Sequence, residues 1–60
     1  MKQRFYVAKH NEYESYWNNR INQFVPFNMA TKWCIREALI DEMEISNIMG
    51  IAHIEDMEIE

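Results

Sequence analysis

Three residues in this chain of 60 could carry nucleophilic or metal chemistry by type: Cys34, His10 and His53. A thiol nucleophile needs a base within hydrogen-bond reach, and zinc needs cysteines and histidines spaced to close a tetrahedron. Cys34 is the only cysteine, and its separation from the two histidines fits no zinc pattern. Helical phasing puts Cys34 on the inner arc of an expected helix, where it packs as a small hydrophobe. His10 closes an expected first strand and His53 lies in an expected last one, so both read as surface or sheet-edge histidines. The adjacent carboxylates Asp41/Glu42 and Glu55/Asp56 point different ways in a helix or a strand, so neither pair makes an acid–base couple. No loop has the oxygen-ligand spacing of a calcium site. The residues therefore predict no catalytic site, no metal and no cofactor, and the chain reads as a binding protein rather than an enzyme.

Length and charge narrow the class. A chain this short buries only about 60% of the surface its unfolded form exposes, so it reads as a single domain over 1–60, with a second copy or a partner as the natural reinforcement. A lone thiol fits a reducing compartment. No apolar run reaches the roughly 18 residues of a membrane span, and the N-terminal apolar stretch is too short for a signal peptide; the expectation is a cytoplasmic protein without membrane contact. Residues 1–36 hold all six Lys and Arg against two acids, whereas residues 37–60 hold eight acids and no Lys or Arg. The net charge of −4 disfavours nucleic acid and suits a basic protein surface. Phe, Tyr, Met, Ile, Asn and Lys supply 28 residues, and Gly, Ala, Arg and Pro only 9, a skew toward AT-rich codons compatible with a phage or mobile-element gene.

The elements that would position these residues follow from periodicity. Phe5 and Val7 alternate with Arg4, Tyr6 and Ala8, which predicts a strand over 3–9. Asn11 through Glu14 resembles a capping box, and Tyr13, Tyr16, Trp17, Ile21 and Phe24 follow at helical spacing, which predicts a first helix over about 11–24. Pro26 interrupts. A second helix is expected over about 29–44, with Ala30, Cys34, Ile35, Ala38, Leu39 and Met43 inward. Gly50 is a candidate left-handed cap, with a third short helix near 46–50 as an alternative. Residues 51–59 read as a strand, with a bulge at 54–56 to bring Ile54 into phase with Met57 and Ile59. The sum is an α+β fold: a small two-layer βααβ domain whose two-stranded antiparallel sheet packs on two helices. Antiparallel pairing places Lys2 and Arg4 near Glu60 and Glu58.

On the expected second helix, Trp33 and Ile40 fall away from the core arc, interleaved with Glu37, Asp41 and Glu44. A Trp rimmed by charge is characteristic of binding hot spots. Trp33, Glu37, Ile40, Asp41 and Glu44 are therefore the candidate partner-binding residues. The expected function is a small non-catalytic regulator that binds another protein, an inhibitor of a larger host enzyme or toxin. The alternatives are a structural homodimer or larger homo-oligomer, and nucleic-acid binding by the basic half, where Lys2, Arg4, Lys9, Arg20, Lys32 and Arg36 are interleaved with Tyr6, Tyr16 and Trp17.

Overall fold

Phe5 and Val7 on one side, and Tyr6 and Ala8 on the other, are the alternation of a strand with apolar material on both faces. The computed structural model, which describes residues 3–59, places this run in β1, Gln3–His10. Val7 and Ala8 point to opposite faces and both are fully buried. The C-terminal run forms β4, Ala52–Ile59, antiparallel to β1 in one unbroken register from Gln3↔Ile59 to His10↔Ala52. The expected charge pairing is present at Arg4, whose guanidinium lies 3.6 Å from both Asp56 and Glu58; Lys2 and Glu60 lie outside the described residues. The expected bulge is absent. Ile54 and Met57 simply face opposite sides of the sheet, and each side has its own core.

The first predicted helix is overturned. Residues 16–25 form a hairpin of β2, Tyr16–Asn18, and β3, Gln23–Val25, which extends the sheet to the order β3-β2-β1-β4. Asn18, Asn19 and Asn22 weaken a helix, because their side chains compete for nearby backbone groups. Here they build the turn: Asn22 takes φ 54°, a left-handed conformation that asparagine tolerates, and Asn18 Oδ1 accepts from the Arg20 N–H. Tyr16 and Trp17 then bury on opposite faces, at 8% and 7% exposure, as adjacent strand residues in a two-faced sheet must.

The second helix is shorter than expected: α1 spans Arg36–Ile45. The residues before it are not helical. After Pro26 a 3-10 turn, Phe27–Met29, leads into an extended strap in which Trp33 exchanges both backbone hydrogen bonds with Tyr6. Asn18 and Asn19 hold the strap through hydrogen bonds to the Met29 carbonyl and the Thr31 hydroxyl. At the far end of α1, Asn47 rather than Gly50 takes the left-handed position, φ 59°. The Asn47 N–H donates to the Glu44 carbonyl and the Ile48 N–H to that of Met43, the two bonds of a Schellman cap, with Ile48 packed beside Met43 in the core.

The fold is thus a four-stranded antiparallel sheet with one α-helix, not a two-stranded sheet on two helices. Helix α1 covers one face through Leu39 and Met43, which meet Ala8, Trp17, Ile48 and Ala52. The strap covers the other, where Ala30 meets Phe5, Val7 and Tyr16 and Phe27 contacts the rings of Phe5 and Tyr16. Four strands with both faces covered remove the marginality of a two-stranded sheet. One long edge is left: β4 ends the sheet.

Candidate functional site

The five residues singled out from sequence do not form one stripe. Trp33 lies in the strap, ahead of α1, and packs partly buried against the helix-side core. Its indole N–H is buried with no acceptor among the described residues. A Trp33→Ala substitution should therefore destabilise the fold by about 2 kcal/mol, somewhat less than a fully buried Trp. Trp33→Phe should be nearly neutral, since the hydrogen-bonding group it removes is already unsatisfied; urea denaturation of the two variants checks both. Cys34 is exposed in the turn before α1 rather than buried in a helix.

Glu37, Ile40 and Glu44 do share one side of α1, at i, i+3 and i+7. Glu37, Asp41 and Glu44 are exposed and Ile40 is half-buried. Ile40 borders a groove of about 400 Å³ between α1 and β4. Arg36 and Met43 of α1, Met49 of the following turn, and Ala52, His53 and Ile54 of β4 complete its walls. The floor is apolar because Met43 and Ala52 belong to the core. Exposed carboxylates flank the groove without lining it: Glu37 and Glu44 stand beside Ile40 on the helix, and Asp56 and Glu58 continue β4 beyond Ile54, while Arg36 and His53 are the ionisable residues of the lining. Arg4 lies against both strand carboxylates at contacts more than a third exposed.

Sequence reasoning missed Met43, Met49, Ala52, His53 and Ile54 as groove residues. A signal was available: Ile54 breaks phase with Met57, and in a strand with two covered faces both phases are apolar. The acidic partners Glu55 and Asp56 point to opposite faces, as their adjacency requires. On the outer face Glu55 Oε2 lies 2.8 Å from His53 Nε2, while Asn11 Oδ1 is 2.6 Å from His53 Nδ1. His10 lies on the other face of the sheet, between the rings of Tyr13 and Phe24, and its Nδ1 accepts from the Glu12 N–H. The two histidines do not share a site.

A second, polar cleft of about 480 Å³ lies across the helix, lined by Trp17, Asn19, Asn22, Glu42, Ile45 and Ser46. Its carboxylate is engaged: Glu42 Oε2 accepts from the Trp17 indole N–H at 3.0 Å and from the Ser46 hydroxyl at 2.6 Å. That triad ties α1 to β2.

Among the described residues, Arg4, Lys9 and Lys32 have separate partners. Arg4 faces the β4 acids, Lys9 pairs with Glu14, and Lys32 sits over the rings of Phe5 and Phe27. Tyr16 and Trp17, two of the aromatics interleaved with the basic residues, are buried. Among the described residues no cluster of His, Cys, Asp and Glu is placed to hold a metal ion, and no helix is long and apolar enough to cross a membrane. Comparison with protein-family models, known proteins and solved structures returned no match.

Proposed function

We propose that the protein is a small non-catalytic regulator that binds a larger protein through the α1–β4 surface, and that the partner presents a basic patch. The observation that carries this reading is an apolar groove lined by Ile40, Met43, Ala52 and Ile54 with exposed carboxylates close by on both elements, Glu37 and Glu44 beside Ile40 on α1 and Asp56 and Glu58 beyond Ile54 on β4. Desolvated apolar contact supplies affinity, and the flanking carboxylates supply orientation and speed encounter with a basic partner. Within this reading the regulator is an inhibitor that occludes a site on a host enzyme or toxin, and it works in the cytoplasm, where a lone exposed thiol such as Cys34 stays reduced. The skew toward AT-rich codons supports a phage or mobile-element source.

The test is capture from bacterial lysate, with and without nuclease, by the native protein and by the double variant Glu37→Lys/Glu44→Lys. Both side chains are exposed, so the variant should keep its stability within about 0.5 kcal/mol. The expected result is one protein captured in stoichiometric amount, insensitive to nuclease, whose affinity falls about tenfold or more in the double variant. Capture that depends on nucleic acid, or that ignores the charge reversal, contradicts the proposal.

A further inference from the structure

We infer that β4 is a receptor edge: an extended segment of the partner adds to it as a fifth strand, with an apolar side chain in the α1–β4 groove and Lys or Arg side chains two and four residues away. The inference rests on the protein-binding reading above and gives its geometry.

The β1–β4 ladder leaves a definite set of backbone groups open. In an antiparallel pair, successive residues turn their N–H and C=O alternately toward the partner strand and away from it. The Asn11 N–H donates to the Ile51 carbonyl, which fixes residue 51 as facing β1. Tyr6, opposite Asp56 in the register, spends both backbone groups on Trp33 at its other edge. Both observations give one phase: His53, Glu55 and Met57 bond to β1, while the backbone groups of Ala52, Ile54 and Asp56 face outward. The Ala52 N–H turns back to the Ile48 carbonyl. The Ile54 and Asp56 N–H groups and the carbonyls beside them are left at the sheet edge, the template that strand addition uses.

The same residues carry the side chains of the groove face. Residues directly opposite in a ladder project to the same face, so an incoming residue bonded to Ile54 projects over the groove beside Ile40 and Met43. Incoming residues opposite Asp56 and Glu58 meet carboxylates. An apolar side chain suits the first position and basic side chains suit the other two. A second copy of the chain is a poor occupant, because β4 holds Glu55, Asp56 and Glu58 and no Lys or Arg, and like charges brought together across a seam repel.

The probe is the peptide Thr-Lys-Thr-Lys-Thr-Ile-Thr-Val-Thr, capped at both ends, which in antiparallel register sets its lysines opposite Glu58 and Asp56 and its isoleucine opposite Ile54. The control is the same peptide methylated on the backbone nitrogens of the isoleucine and of the lysine nearest it, which keeps charge and side chains but removes edge donors. Amide NMR titration reads both. The expected result is peptide-induced shifts centred on Ile54 and Asp56 and an affinity about tenfold lower for the methylated control. Equal affinity of the two peptides overturns strand addition while leaving the acidic-surface reading standing. Shifts centred on β3, no binding of either peptide, or a doubled mass of the free protein also overturns it, and the charge-reversal capture experiment then decides the broader reading by itself.

Discussion

Leu39→Ala should leave most of the chain unfolded at room temperature. Leu39 is the hub of the helix-side core and has no exposed surface. Removing its buried methyl and methylene groups costs about 2–5 kcal/mol, against a total of only about 3–5 kcal/mol for a domain of this size. The helix is the element most exposed to this loss, since only Leu39 and Met43 of α1 are buried. Leu39→Met, which conserves volume, should cost less than about 1.5 kcal/mol. Circular dichroism during urea denaturation checks the pair: a two-state transition at high urea for Leu39→Ala would show that α1 contributes little to stability.

Proline scanning along β4 should give alternating outcomes of comparable size. Glu55 turns its N–H into the ladder toward Val7, in the phase fixed by Asn11 and Tyr6. Glu55→Pro deletes that bond, orphans a carbonyl on the fully buried β1 residue Val7 and strains the strand. The combined loss should be about 3 kcal/mol, enough to unfold the protein. Asp56→Pro removes an N–H that points outward and an exposed contact with Arg4. Surface ion pairs of this kind contribute about 0–1 kcal/mol, so Asp56→Pro should fold. It should also lose the binding described above, because a receptor edge without that donor cannot continue the ladder. Asp56→Asn, which removes the charge and keeps the N–H, separates the two contributions: it should retain more of the binding than Asp56→Pro.

The two long strands were legible in the sequence because they obey simple rules. Alternation at Phe5, Tyr6 and Val7 marked β1, and the basic start of the chain against its acidic end marked the antiparallel pairing that brings Arg4 to Glu58. The hairpin was not legible, for a physical reason. Its strands are three residues each, too short to show a period, and Tyr16 and Trp17 are buried on both faces, so adjacent apolar residues read as part of a helical stripe. The capping-box pattern at Asn11 through Glu14 reinforced the error, whereas the asparagine-rich 18–22 segment was the better guide to a turn. The same ambiguity extended α1 backward over the strap. Ala30, Trp33 and Cys34 match helical spacing, yet the open hydrogen-bonding edge of Tyr6 captures Trp33 first, a tertiary contact that no local pattern encodes. Of the five candidate residues, Glu37, Ile40, Asp41 and Glu44 lie within the part of the expected helix that exists, while Trp33 lies in the part that does not.

The most direct measurement of the account is residue-resolved amide hydrogen exchange on β4, free and with the captured partner bound. In the free protein His53, Glu55 and Met57 should be protected by the ladder, while Ile54 and Asp56 exchange at rates near those of an open chain. Binding should bring Ile54 and Asp56 to the protection of their neighbours. Uniform protection of β4 in the free protein would mean that the edge is already covered, and unchanged exchange at Ile54 and Asp56 in the complex would place the partner elsewhere.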